Sequence, residues 1–235
     1  MLEYRLDVNV TESDFHEDGT VKLSSLMFFF QEAATHHANE IGIGRQILLE
    51  KNIVWILTKM KMRILKDVTV GDGYYVMTYP RAVKSRFCPR DYYLYNKDGE
   101  LMVVGSAMWS LMDWTERKVI RATEIDFGGT FREDEAFPEG FEKFRAKEPE
   151  LVKDYEVVST DIDENEHMNN CRYADMITMA TDITPVREFV LQFSKETVEG
   201  EVISLGRENV EDGQVIVGKS ADGQNVFLAK VTIEK

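Results

Sequence analysis

Cysteine is scarce in this chain, with Cys88 and Cys171 the only two in 235 residues. Two distant thiols cannot staple a disulfide scaffold, and they suit a reducing cytosol, so a cytoplasmic location is expected. Histidine is nearly as rare, at four residues, and no His/Cys spacing fits a metal-ligand set. No apolar run approaches the ~20 residues of a membrane span. The opening Met1–Asp7 has neither the basic start nor the apolar core of an export signal. A Gly-rich phosphate loop and a Gly-x-Ser-x-Gly elbow are both missing. Positive charge is short as well: 28 basic against 42 acidic residues leave a formal charge of −14. Nucleic acid is therefore a poor partner, because phosphate binding needs a basic footprint.

What the chain does have is core material, 43% apolar and 11% aromatic, which excludes general disorder. Its length allows one large domain or two compact ones. Alternating and β-branched runs predict strands at Tyr4–Val10, Ile53–Leu65, Tyr74–Tyr79, Asp91–Tyr95, Leu101–Met112 and Lys118–Arg121. Lys22–Ile41 differs, placing Leu26, Phe29, Phe30, Ala33, Ala34, His37 and Ile41 at helical spacing, with Gly42 and Gly44 as stop signals. Residues 131–150, charged and carrying two prolines, read as a linker with a short exposed helix. Strands restart at Tyr155, a second helix is expected over Asn169–Thr181, and strands follow at Phe189–Phe193, Glu201–Arg207, Gln214–Lys219 and Val226–Ile233. The expected division is residues 1–130, a linker over 131–152, and residues 153–235.

The two halves repeat one another. Lys66-Asp67-Val-Thr-Val-Gly71-Asp72 matches Lys195-Glu196-Thr-Val-Glu-Gly200-Glu201, and the Asp98-Gly99 hairpin signal matches Asp222-Gly223. Two matches in the same order point to internal duplication of a helix-plus-sheet unit.

The densest polar constellation is Ser159–Asn170, between a strand and the second helix. Asp163, Asn165 and His167 alternate at i, i+2 and i+4, so an extended loop projects all three side chains one way. A carboxylate, an amide and an imidazole beside a helix N-terminus suit attack of activated water on a carbonyl. The same residues also suit a solvated Asx-rich loop whose Asn169 or Asn170 caps the helix. For Cys171, four residues after His167, a nucleophilic role and plain packing at the helix start are both open. His36 and His37 are adjacent in the first helix and point about 100° apart, so they cannot chelate together. Met27, Phe28, Phe29 and Phe30 suit a core or the wall of an apolar tunnel. Arg81, Lys84, Arg86 and Arg90 carry four positive charges with no acid among residues 81–90. They suit either a solvated loop or a docking patch for an anionic partner.

Three segments together resemble the plant and bacterial acyl-ACP thioesterases. Trp55-Ile-Leu-Thr58-Lys59-Met60 is similar to that family's Trp-x-x-Thr-Arg-Met. Gln31-Glu32-Ala-Ala34-Thr-His-His37 is similar to its Gln-Glu-x-Ala-x-x-His. Asp161-Ile-Asp163-Glu-Asn165-Glu-His167-Met-Asn169-Asn170-Cys-Arg-Tyr173 resembles its active-site motif. The resemblance implies an α+β fold of two tandem hotdog units, each an antiparallel sheet wrapped around a long helix. It implies hydrolysis of the thioester between a fatty acyl chain and acyl carrier protein, with no cofactor and no metal. The first half would set acyl chain length and the second would carry the chemistry. The family's catalytic Asp, Asn and His fall on Asp163, Asn165 and His167, and a further Glu on Glu196. Where plant members have Cys next, this chain has Thr197, a poor nucleophile without activation. Direct attack by water is therefore expected, with transient attack by Asp163 as the alternative. A hotdog acyl-CoA thioesterase and a non-catalytic acyl-binding hotdog are the competing readings of function. Without a plastid transit segment the resemblance points to the bacterial branch, as monomer or homodimer. Acyl carrier proteins are strongly acidic, so Arg81, Lys84, Arg86 and Arg90 become the expected carrier-docking residues.

Overall fold

A computed structural model describes residues 2–233. The apolar spacing of residues 22–41 produces the helix α1 (Leu23–Glu40). Leu26, Met27, Phe29, Phe30, Ala33, Ala34 and His37 are buried on one face, while Phe28 points off it and is exposed. The helix ends where Gly42 takes a left-handed φ of 73°. Gly42 N–H then bonds the Asn39 carbonyl, and Ile43 N–H reaches back to Ala38. That bond pair is the Schellman ending for which glycine has no Cβ penalty.

The chain forms two units. One comprises Met1–Asp14 with Phe28–Gly140, the other Phe15–Met27 with Phe141–Lys235.

In the first unit the strands are β1 (Tyr4–Val10), β2 (Ile53–Ile64), β3 (Gly71–Pro80), β4 (Phe87–Tyr95), β5 (Leu101–Asp113) and β6 (Lys118–Ile120). They pair antiparallel in the order β1-β3-β4-β5-β2, with β6 also on β5. Phe30 of α1 stacks on Tyr92 of β4, 4.9 Å between centroids. The close approach depends on Gly105 of β5, where an added Cβ would lie 2.5 Å from the Phe30 ring. Complete burial of that Phe contributes about 2–3 kcal/mol. Trp55 of β2 donates its indole N–H to the Ile43 carbonyl at 2.9 Å, pinning the segment after α1. The short helix α2 (Arg45–Leu49) escaped the sequence reading because five residues are too few to show a helical period. Strand β4 starts at Phe87, four residues earlier than expected. Pro89 and the basic residues disguised a stretch whose partners are Trp109 for Cys88 and Ala107 for Arg90.

The second unit contains β7 (Glu150–Glu156), α3 (Arg172–Ala180), β8 (Glu188–Phe193), β9 (Val202–Val210), β10 (Gly213–Lys219) and β11 (Asn225–Thr232). Its antiparallel order is β8-β11-β10-β9-β7. Helix α3 buries Tyr173, Ala174, Met176, Ile177 and Ala180. Tyr173 meets Phe193 and Phe227 edge-on, at 5.1 and 5.7 Å. Residues 131–149 hold neither strand nor the expected short helix. The strand expected from Tyr155 begins at Glu150, because backbone pairing with β9 sustains it although its side chains are mostly exposed.

The repeat read in the sequence recurs bond for bond. Leu65 and Lys66 N–H both bond the Met102 carbonyl, as Ser194 and Lys195 do with Val226. Gly99 N–H closes on Asn96 as Gly223 N–H closes on Ser220. A third match lay hidden. A 3-10 turn at Glu12–Asp14 leads into the Phe15–Val21 bridge, and one at Ser159–Asp161 into the Ile162–Met168 bridge. In both, the last Asp of the turn accepts a backbone N–H three residues back. Both also contain a left-handed residue, Gly19 or Glu166. His16, Asp18 and Thr20 thus occupy in one copy the places that Asp163, Asn165 and His167 hold in the other.

Candidate active site

The segment between β7 and α3 is shaped by its own side chains. Asp161 is buried and accepts hydrogen bonds from Tyr155 Oη at 2.7 Å and Val158 N–H at 3.0 Å. Burial, together with the hydrogen bond it donates to Asp161, holds the Tyr155 phenol well above its ordinary pKa. Arg172 Nε lies 3.6 Å from the other oxygen of Asp161. From this anchor the chain turns. Asp163 N–H bonds the His167 carbonyl, Glu166 N–H bonds Asp163, and Glu166 adopts φ 63°. The extended loop expected from the i, i+2, i+4 spacing is therefore a tight turn. Its short polar residues make local bonds that outcompete an extended backbone. The alternation survives in exposure: Asp163, Asn165 and His167 are half-buried while Glu164 and Glu166 face solvent.

Asp163 Oδ1 accepts the Asn165 N–H at 2.8 Å, so this carboxylate organises the turn. The carboxylate that reaches the imidazole is Glu196, with Oε2 3.5 Å from His167 Nε2. The two side chains are 25% and 41% exposed, so solvent water reaches them. Their meeting has a backbone cause. Met168 N–H bonds the Thr197 carbonyl at 2.8 Å, which sets the preceding residues, His167 and Glu196, beside each other. Tyr173 secures the same segment, with Oη 3.2 Å from Thr197 Oγ1 and 3.4 Å from the Lys195 carbonyl. Burial raises the Tyr173 phenol to about 12, so it stays protonated and available as a donor. Its role was missed in the sequence, where only its place in the Asn-Asn-x-x-Tyr motif marked it.

Thr197 is fully buried and its hydroxyl is taken up by Tyr173. Cys171, at the start of α3, is also buried. The side chain of Asn169 accepts the Cys171 N–H at 2.9 Å and leads the chain into the helix. Among the described residues no group of three or more His, Cys, Asp or Glu side chains could hold a metal ion.

In the other unit, His36 and His37 diverge as helical geometry requires. His36 is exposed and 3.8 Å from Glu32, whereas His37 is 1% exposed and stacked on Tyr4. His37 Nδ1 lies 3.1 Å from Arg90 Nη1, and Arg90 also donates to Thr78 Oγ1 at 3.2 Å. Burial, aided by the guanidinium, lowers the His37 pKa to about 4. Burial also presses the Arg90 pKa below its ordinary value.

These contacts correct the basic patch. Arg90 points inward from β4, and Arg81 is buried against Asp91 at 2.9 Å and Glu135 at 2.8 Å. Neither presents its charge to a partner. Lys84 and Arg86 remain exposed, Lys84 lying 3.6 Å from Glu135. The four charges, close in sequence, split because the Asp91 and Glu135 carboxylates hold Arg81 inside while Arg90 of β4 turns to Thr78 and His37.

A family model described as the acyl-ACP thioesterase N-terminal domain matches residues 2–126, and its C-terminal counterpart matches residues 144–232. A chloroplastic acyl-[acyl-carrier-protein] hydrolase from Cuphea viscosissima is 21% identical over 94% of this chain and 57% of its own length. A chloroplastic palmitoyl-acyl carrier protein thioesterase from Gossypium hirsutum is 23% identical over 75% of this chain and 46% of its own. The chain thus spans about half the length of the curated relatives it matches. Among solved structures, an acyl-ACP thioesterase from Bacteroides thetaiotaomicron superposes with a TM-score of 0.86 at 20% identity, covering 99% of this chain and 98% of that one. A 12:0-ACP thioesterase from Umbellularia californica gives 0.86 at 18% identity, covering 99% and 97%. The expected pair of hotdog units is therefore the fold, and with both domain models matched in order the chain belongs to the acyl-ACP thioesterase family.

Proposed function

We propose that this protein hydrolyses the thioester of fatty acyl chains carried on acyl carrier protein, releasing the free acid. The observation that carries the reading is the His167–Glu196 contact at 3.5 Å, beside a threonine too buried to act as nucleophile. His167 takes a proton from water whose oxygen attacks the acyl carbon, and Glu196 stabilises the imidazolium that forms. The carbonyl π-pair moves onto oxygen, which Asn165 stabilises by hydrogen bonding. As the carbonyl reforms, the C–S bond breaks and the imidazolium returns its proton to the leaving thiolate. Asp163 holds the turn through the Asn165 N–H and thereby positions Asn165 and His167. No metal or organic cofactor takes part in these steps.

Within this reading residues 1–130 select the acyl chain and residues 153–235 carry the chemistry. The two cysteines are buried and form no disulfide among the described residues, which supports a cytoplasmic setting. The test compares hydrolysis of acyl-ACP and acyl-CoA across chain lengths for wild type, His167→Ala and Glu196→Ala. Loss of the general base lowers turnover by 10²- to 10⁴-fold. Equal rates in all three proteins would refute the assignment, and faster acyl-CoA hydrolysis by wild type would redirect the substrate. A single turnover in ¹⁸O-water separates the attacking groups: label in Asp163 would replace water by that carboxylate as nucleophile.

A further inference from the structure

The charge of −14 is unevenly shared along the chain. Residues 141–235 carry 20 acidic and 11 basic residues, whereas residues 28–140 carry 16 and 15. Among its acid-free stretches, Arg81–Arg90 carries four basic residues and Arg117–Arg121 three. More than 25 residues separate them in sequence, but the fold joins them. Strand β5 pairs Ser110 with Phe87 of β4, and the next residue, Leu111, with Ile120 of β6. Strand β6 therefore takes over the place beside β5 that β4 vacates. A hydrogen bond from Ala122 N–H to the Ser85 carbonyl at 3.1 Å then brings Arg121 alongside Arg86. Ser85 supplies the necessary reversal with φ 63°.

The result is an exposed ridge in which Lys84, Arg86, Arg117, Lys118 and Arg121 flank two apolar side chains, Phe87 and Val119, 46% and 37% exposed. Among the described ion pairs of the ridge, Glu135 lies 3.6 Å from Lys84, and Glu116 lies 3.1 Å from Lys118. Both ion pairs are largely solvent-exposed and contribute little that a partner could not displace. Arg86 and Arg121 make no hydrogen bond or ion pair among the described residues. A run of cations around apolar side chains complements a strongly acidic surface with an apolar centre.

We propose that this ridge is where the acidic carrier protein docks. The proposal rests on the reading above that the acyl chain arrives on a carrier. It replaces the four-residue patch legible in sequence, dropping Arg81 and Arg90 and adding Arg117, Lys118 and Arg121. Because the contact is a rim of exposed charge, it governs encounter and its salt dependence more than turnover.

The test reverses two of the cations, Arg86→Glu with Arg121→Glu, which takes the formal charge from −14 to about −18. A control, Lys66→Glu with Lys97→Glu, makes the same change in net charge at exposed positions beside the Met102 end of β5, opposite the ridge. Each protein is assayed at low and high salt on acyl-ACP and on a neutral acyl-N-acetylcysteamine thioester. The expected result is a tenfold or larger rise in KM for acyl-ACP in the ridge variant alone. Its kcat and its activity on the neutral thioester stay within twofold of wild type, and its KM loses most of its salt dependence. A KM within twofold of wild type, or an equal rise in the control, would overturn the docking surface and leave the hydrolase reading standing. Loss of the neutral-substrate activity as well would show that the two arginines support the fold, which also overturns it. If wild type hydrolyses the neutral thioester but not acyl-ACP, the carrier reading itself falls, and the docking proposal with it.

Discussion

His37 makes the stability of this protein depend on pH through one buried side chain. Its ring is 1% exposed, stacked on Tyr4, and its Nδ1 faces the Arg90 guanidinium at 3.1 Å. Arginine can only donate, so Nδ1 must carry a lone pair, and the imidazole sits neutral with its proton on Nε2. Protonating it would place two buried donors and two positive charges against each other. In the folded protein the pKa is accordingly about 4, against 6.5 for an unperturbed imidazole. Between those values the unfolded chain binds the extra proton and the folded chain refuses it, so acidification favours unfolding. This contribution vanishes above about pH 7.5, costs about 2 kcal/mol at pH 5, and saturates near 3 kcal/mol below pH 4. Urea melts followed by tryptophan fluorescence at pH 7.5 and 5.0 measure it. His37→Gln keeps an acceptor for Arg90 and cannot titrate, so its loss of stability over that interval should be smaller than wild type's by about 2 kcal/mol. An identical loss in both proteins would refute the argument. So would an NMR titration of the His37 ring with a midpoint near 6.5.

Two further substitutions probe packing and the site. Thr197→Val removes a buried hydroxyl bonded to Tyr173, costing about 1 kcal/mol in stability, while kcat should stay within a few-fold of wild type. A hundredfold loss of kcat in a folded Thr197→Val protein would restore that hydroxyl to the chemistry. Gly105→Ala drives a Cβ to 2.5 Å from the Phe30 ring and should destabilise by about 1–3 kcal/mol. Combining it with Phe30→Leu should cost less than the two changes added, by at least 0.5 kcal/mol. Strict additivity in urea melts would show that the ring is not what meets the new methyl.

Much of the architecture was legible because it is written in local rules. Period 3.6 with glycine at its end marked α1 within one residue at each terminus. Period 2 with Asp-Gly turns marked most strands, and repeated turn chemistry revealed the duplication. The parts that escaped obey non-local rules. Residues 150–154 are mostly polar or exposed and form a strand only because β9 is there to pair with them. The turn matching Asp163–His167 in the first copy was illegible because it preserves backbone geometry while its side chains differ: His16, Asp18 and Thr20 spell no recognisable motif.

The site divides in the same way. The run Asp163, Asn165, His167 stands out in sequence because polar residues of those types are concentrated before a helix. Which of them turns toward which is a matter of tertiary structure. A backbone bond from Met168 to Thr197 brings Glu196 to His167 and leaves Asp163 to hold the turn.

By itself the sequence determined the α+β class, the duplication and a set of polar groups suited to attack of water on a carbonyl, because these follow from composition, periodicity and short motifs. It also determined the deficit of positive charge. Where the remaining positive charge is presented was decided only by the tertiary structure. The carboxylates of Asp91 and Glu135 hold Arg81 inward, Thr78 and His37 receive Arg90, and the pairing of β6 with β5 sets Arg121 beside Arg86. Charge is carried by residues one at a time, but a surface is made by the strands that bring them together.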